Sequence, residues 1–328
     1  MSCPEDSVGS AGLCAPPSNE PPLFDFQVNG FAGVDFQRPD VSAPALEHAA
    51  AALRAHQVGC IFVTFITAPL EQLAQQLRRF ELFREASPSL SAMIAGYHLE
   101  GPWLSPQPGY CGAHPPAHMH APSIVEFETL QRAARGRIRL VTLAPEWAGS
   151  SEFITHLTAR QVAVSLGHTN ATERDIDAAI AAGARFCTHL GNAVPLVLPR
   201  HDNVVQQLLS RDELIACFIP DGLHLPRRVL QNFVRAKPPG RALFTTDAMA
   251  GAGAPAGNYT LGDLTVNVGA DGIARNPGGG FAGSTLPPDD GVRRVAEYLA
   301  LPPHEARRLW STTAAAAFGV TLSAPSIS

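Results

Sequence analysis

Lysine is almost absent from this 328-residue chain: Lys237 is the single one among 24 lysine and arginine side chains. It lies in a Lys-Pro-Pro-Gly stretch that reads as a loop, which sets aside chemistry built on a Schiff-base or carboxylated lysine. Cysteine is scarce and scattered, at positions 3, 14, 60, 111, 187 and 217, with no Cys-x-x-Cys pair. A chain of this length needs no disulfide framework. Cys60, Cys187 and Cys217 fall in apolar runs and read as buried small hydrophobes, which points to a reducing, cytoplasmic compartment. No run of about 18 apolar residues occurs, so no membrane-spanning helix is expected. The first 22 residues are polar and rich in Pro and Ser, without the apolar segment of a signal peptide; they read as a flexible leader. The net charge of −5 carries no basic excess for nucleic acid or an anionic membrane surface.

What is present argues for a large folded core. Hydrophobic residues make up 45% and charged residues 16%, which excludes a disordered chain. Short apolar runs alternate with longer helical patterns. Strands are expected at Leu23–Asn29, Cys60–Thr67, Met93–Glu100, Ile138–Ala144, Val162–His168, Phe186–Leu190, Leu214–Asp221 and Ala242–Asp247. Helices are expected at Ala43–Gln57, Leu70–Glu85, Ser123–Arg135, Ser151–Arg160, Glu173–Ala182, Val204–Arg211 and Pro226–Ala236, with Gly291–Leu299 and His304–Gly319 closing the chain. Eight such units predict a TIM-like (β/α)8 barrel over residues 23–320; a doubly wound open sheet is the alternative that periodicity leaves standing. Two stretches break the rhythm. Residues 102–122 are rich in Pro, Gly and His. Residues 249–284 are Gly-rich, and there Thr260–Val268 and the Asp271-Gly272 turn read as a small β excursion after strand eight. Residues 321–328 read as a tail.

In a barrel of this kind the chemistry sits at the C-terminal ends of the strands. Those ends carry Gln27-Val-Asn29, His98-Leu-Glu100, Gly167-His168, Thr188-His189, Asp221-Gly-Leu-His224 and Thr246-Asp247. One carboxylate with two imidazoles is a ligand set for zinc or another divalent ion with an open position. A further carboxylate, Asp247, suits proton transfer from a water activated there. Singly, each has a plainer reading. A histidine at a strand end is commonly a hydrogen-bonded structural residue, and Asp221 reads as the cap of a turn. His118 and His120 read as solvated, and His56 as an inert side chain on an exposed helix face. Glu100, His168, His189 and Asp247 together, at four strand ends, are harder to explain structurally.

The chain resembles the N-acetylglucosamine-6-phosphate deacetylase family of the amidohydrolase superfamily. The resemblance is carried, in order, by Asp25–Phe36, His98–Trp103, Leu143–Glu146, Ser165–Thr172, Thr188–Ala193, Asp221–His224, Thr246–Ala248 and Ala282–Thr285. It implies an amidohydrolase-type barrel with one divalent metal ion, zinc by first choice with iron or another divalent ion as alternatives, held by Glu100, His168 and His189. Asp247 is then the general base and acid, and His114 the group that polarises the scissile carbonyl. Asn192, Ala193 and His224 are implied as sugar-phosphate contacts. Arg200 is implied to reach the phosphate held by a neighbouring subunit, hence a homodimer. Relatives with two metals carry His-x-His on strand one; Gln27-Val-Asn29 stands there here, which implies a single metal.

The implied reaction is hydrolysis of the acetamide of N-acetylglucosamine 6-phosphate to glucosamine 6-phosphate and acetate, with no nucleic-acid or membrane partner. Family members also carry a small β-sandwich from both chain ends; with strand one near residue 23 and little sequence after 320, a barrel-only form is expected. The segment after Ala193 reads Val-Pro-Leu-Val-Leu-Pro-Arg-His-Asp-Asn, without the family's usual glycine-rich turn after the arginine. Another N-acyl amino sugar, phosphorylated or not, therefore stays open as substrate, as does a barrel that binds a sugar phosphate without turnover.

Overall fold

A computed structural model describes residues 20–322. Strands β1 (Leu23–Val28), β2 (Val58–Ile66), β3 (Ile94–Glu100), β4 (Ile138–Leu143), β5 (Ala163–Leu166), β6 (Phe186–Cys187), β7 (Ile215–Phe218) and β8 (Ala242–Phe244) lie in one sheet in chain order. Every neighbouring pair is parallel. Helices fill the crossovers, so the architecture is a (β/α)8 barrel. The helices pack through one apolar face. Leu70–Ala86, for example, buries Leu73, Ala74, Leu77 and Phe80. No helix among the described residues is long and apolar enough to cross a membrane.

The barrel closes between β8 and β1 without a continuous ladder. Val28 bridges Ala248, and the amides of Asn29 and Gly30 donate to the Ala248 carbonyl at 2.7 and 3.2 Å. Below them, the buried Asp25 carboxylate accepts from the Thr245 hydroxyl at 2.5 Å and from the hydroxyl and amide of Thr246 at 2.6 and 3.2 Å. Burial nevertheless pushes the Asp25 carboxyl up to about 6. The opposite end of the barrel is filled by rings. Phe318 lies 4.6 Å from Phe186 and 4.9 Å from Phe26, centroid to centroid, with Phe24 and Phe62 beside it.

Several boundaries differ from expectation. Strand six ends at Cys187, because His189 (φ 29°) and Gly191 (φ 97°) turn the chain out of the extended region. A short helix, Pro88–Met93, precedes β3; Ser87 caps it by accepting the Leu90 amide, and Pro88 opens it. The closing helix is two, Pro303–Trp310 and Thr312–Ala317, broken at Ser311 (φ −124°, ψ −101°). Thr260–Val268 is not one strand. Gly257–Leu261 (β9) turns at Gly262-Asp263 into Leu264–Val268 (β10), and Ala274–Arg275 (β11) adds a third strand. The left-handed φ of 61° at Gly262 is what the turn requires. Its amide and the Thr260 hydroxyl pin this excursion to Asp35, at 2.9 and 2.8 Å.

His56 is not inert. Its amide closes the end of the helix Ala43–Ala55, and its ring meets Asp289 at 2.8 Å. The Lys237 ammonium is taken up by the Arg211 carbonyl, to which it donates at 2.5 Å. Cys60, Cys187 and Cys217 are buried, as their apolar contexts imply; Cys3 and Cys14, with most of the expected leader and tail, lie outside the described residues.

The seam gives the first testable prediction. Asp25→Ala leaves the Thr245 and Thr246 donors without their acceptor, at about 1–3 kcal/mol for each buried group left unpaired. The urea midpoint is expected to fall with an unchanged slope; an unchanged midpoint contradicts the role given to Asp25.

Candidate metal centre

Glu100 is the last residue of β3; His168 and His189 follow β5 and β6 by two residues, and Asp247 follows β8 by three. His168 (φ 51°), His189 (φ 29°) and Asp247 (φ 51°) all hold left-handed backbone, which side-chain-bearing residues adopt at a cost of about 1–3 kcal/mol. The chain therefore bends at each strand end and aims the side chain over the barrel mouth.

The three ligand candidates converge. Glu100 Oε1 lies 3.1 Å from His168 Nε2 and 2.9 Å from His189 Nε2, and the two nitrogens are 3.1 Å apart. All three residues are buried. His168 Nδ1 donates to the Tyr110 carbonyl at 2.9 Å. In the neutral ring that leaves Nε2 with a lone pair, directed at a carboxylate oxygen that also only accepts. A cation reconciles these atoms, and their spacings are close to the roughly 3.3 Å edge of a tetrahedron drawn with bonds of about 2.0–2.1 Å. The residues present thus fit a divalent ion. Gly112 makes room for the arrangement: a Cβ there would stand 2.9 Å from His168 Cε1.

Asp247 sits beside this cluster with one oxygen committed. Its Oδ1 accepts from Asn29 Nδ2 at 2.7 Å and from Gln27 Nε2 at 3.0 Å, leaving Oδ2 free for chemistry. Burial, then the neighbouring Glu100 charge, pushes its carboxyl up to about 8. A divalent cation at the cluster acts in the opposite sense and favours the carboxylate.

His114 completes the floor. Its Nδ1 accepts the Thr67 amide at 3.3 Å, so the proton of the neutral ring resides on Nε2, 3.8 Å from Glu100 Oε2. Burial, then the neighbouring His168 imidazole, drives its pKa down to about 3, so the ring is a neutral donor at ordinary pH. His98, one layer below Glu100, is also held neutral by burial, at about 4, between the hydroxyls of Thr64 (3.3 Å) and Thr142 (2.8 Å).

These groups open onto a cavity of about 700 Å³ lined also by Asn192, Ala193, His224 and Phe281. Asp221 both caps its turn and orients His224, accepting from Nδ1 at 2.6 Å and from the Leu223 and His224 amides at 2.8 and 2.9 Å. The Phe281 ring lies 4.9 Å from the His224 ring. Arg200 is not among the lining residues but exposed on the 192–203 loop, and among the described residues no arginine or lysine lines the cavity.

Sequence reading missed Gln27 and Asn29 as partners of Asp247, Thr67 as the residue fixing the His114 tautomer, and Phe281. Alternation places Gln27 and Asn29 opposite Phe24 and Phe26. A register shift between Asp25 and Val28 turns them inward instead.

The Asp247 environment makes a prediction for the metal-free protein. The folded state keeps a proton that the unfolded chain releases near 3.8, so stability falls as pH rises from there to about 8. Asp247→Asn is expected to remove that fall in chelated protein; an identical pH profile for both proteins contradicts it.

The chain matches no family model. It is 35% identical over 304 residues to the N-acetylgalactosamine-6-phosphate deacetylase of Escherichia coli O157:H7, spanning 92% of this chain and 78% of that relative. It is 36% identical over 290 residues to the N-acetylglucosamine-6-phosphate deacetylase of Bos taurus, spanning 84% and 68%. Against the Bacillus subtilis protein named as the same deacetylase, identity is 30% over 302 residues, spanning 92% and 75%. Among solved structures, a point mutant of N-acetyl-D-glucosamine-6-phosphate deacetylase from Mycobacterium smegmatis, in complex with N-acetyl-D-glucosamine-6-phosphate, superposes with a TM-score of 0.84. Identity there is 32%, covering 95% of this chain and 83% of that one. N-acetylglucosamine-6-phosphate deacetylase from Pasteurella multocida gives 0.81 at 29% identity, covering 92% and 76%.

Proposed function

Because the chain belongs to the N-acetylglucosamine-6-phosphate deacetylase family, we propose that it hydrolyses the acetamide of N-acetylglucosamine 6-phosphate to glucosamine 6-phosphate and acetate. The observation that carries this reading is the shared floor of one cavity. Three mutually facing ligand atoms, a carboxylate with one free oxygen, and a neutral imidazole with its N–H turned to the cavity stand together there.

Glu100, His168 and His189 would hold the ion. A divalent cation so held supplies Lewis acidity, lowering the pKa of water from 15.7 towards about 7 and polarising a carbonyl. Asp247 Oδ2 takes a proton from the attacking water as its oxygen bonds to the carbonyl carbon. The same carboxyl returns that proton to the nitrogen as the C–N bond breaks, so acetate and a free amine leave. Positioned proton transfer of this kind contributes about 10²- to 10⁴-fold. His114 Nε2–H donates to the oxygen on which charge develops, a contribution of about 2.7–4 kcal/mol for one such donor. His224, Asn192 and Ala193 contact the sugar.

Two imidazoles and a carboxylate support zinc as the resident ion, with iron or another divalent ion also suited to the set. The absence of arginine and lysine from the cavity lining supports a homodimer in which Arg200 of the second copy meets the phosphate. The unpaired thiols of Cys60, Cys111, Cys187 and Cys217 support a cytoplasmic location. The 35% identical relative named for the galactosamine epimer supports a second reading, in which N-acetylgalactosamine 6-phosphate is the better substrate.

Acetate release from both phosphorylated sugars and from free N-acetylglucosamine tests the proposal. Chelator-sensitive release from a phosphorylated sugar is expected, and its absence from every N-acetyl amino sugar overturns the reading. Asp247→Asn is expected to lower kcat by at least about 10²-fold while metal content is kept. Arg200→Ala is expected to raise KM for the phosphorylated sugar and leave the free sugar unchanged; equal effects on both contradict a phosphate contact.

A further inference from the structure

A second cavity, of about 280 Å³, lies directly behind one wall of the first. Ile66, Ala113 and Leu261 border both. The chain at 113–115 is itself the partition: His114 faces the first cavity, while Pro115 lines the second. Thr67, which fixes the His114 tautomer through its amide, also lines the second. The wall is therefore one chain layer thick, backed by two aliphatic side chains, Ile66 at the end of β2 and Leu261 at the end of β9.

The place of this wall has a consequence for the acyl group. In the reaction proposed above, the carbonyl oxygen meets His114 Nε2. The substituent on the carbonyl carbon then lies beside His114, where the near wall is apolar and made by Ile66, Ala113 and Leu261. A methyl group fills such a corner; a longer chain runs into the wall, and behind the wall there is space. We propose that Ile66 and Leu261 are the residues that set acyl length, and that the second cavity is the room into which a longer straight-chain acyl group extends when that wall is thinned. The substrate class is N-acyl amino sugar 6-phosphates with acyl groups longer than acetyl. This rests on the deacetylase reading and on His114 facing the acyl carbonyl.

One methylene in an apolar pocket discriminates between substrates by about 10- to 200-fold. The experiment compares kcat/KM for N-acetyl-, N-propionyl- and N-butyryl-glucosamine 6-phosphate, followed by amine release from the metal-loaded enzyme. Leu261→Ala joins the cavities and is expected to raise the butyryl-to-acetyl ratio at least tenfold over the unmodified chain. Leu261→Phe thickens the wall and narrows the corner beside His114, and is expected to lower the propionyl-to-acetyl ratio. Ile66→Val carries the same test at lower structural risk, with a smaller rise in the propionyl-to-acetyl ratio. Ratios unchanged within twofold in all folded variants, with acetyl hydrolysis retained, overturn this inference alone. No hydrolysis of any of the three sugars by the unmodified chain overturns the deacetylase reading, and this inference with it.

Discussion

A carboxylate oxygen and two imidazole nitrogens facing one another at 2.9–3.1 Å are the constraint around which the rest of the barrel mouth is arranged. The lone pairs of Glu100 Oε1 and His168 Nε2 face each other, and a divalent cation among the three side chains would turn that repulsion into binding. The surrounding structure prepares that outcome. The Tyr110 carbonyl takes the other proton-bearing nitrogen of His168, so its lone pair points at Glu100. Gly112 lets the 102–122 loop pass close over the ring. Neutral His98 and the Thr142 hydroxyl pack beneath the carboxylate without adding charge. Left-handed backbone at His168, His189 and Asp247 is the conformational cost of the arrangement.

Asp247 links this centre to the closure of the barrel. Immediately upstream, Thr245 and Thr246 are clamped by Asp25, and one residue downstream Ala248 receives the amides of Asn29 and Gly30. The strand end that completes the barrel is thus the one that presents the carboxylate. Its orientation comes from the opposite side of the same seam, through Gln27 and Asn29. The bonds that close the barrel and the bonds that orient the carboxylate thus meet at one seam.

Much of this was legible in the residues. Apolar runs such as the one in β2 and the amphipathic face of Leu70–Ala86 announce the alternation, and strand ends announce Glu100, His168, His189 and Asp247. What escaped was set by local geometry that periodicity does not encode. Strand six is short because two left-handed residues follow it. The excursion after β8 turns at Gly262 rather than running on, because its edge is pinned to Asp35, 225 and 227 positions away in sequence. Gln27 and Asn29 face inward through a register shift that alternation cannot foresee. His114 was readable only through resemblance, since a histidine in a Pro- and Gly-rich loop carries no periodic signal; its tautomer depended on Thr67, 47 residues away.

Anomalous diffraction from crystals of the active protein, recorded on both sides of the zinc absorption edge and of the iron edge, tests the central claim most directly. A single peak within bonding distance of Glu100, His168 and His189, with Asp247 beside it but not bound through Oδ1, is the predicted result. Fully active crystals with no peak at that position, or with the ion held by other residues, contradict the account.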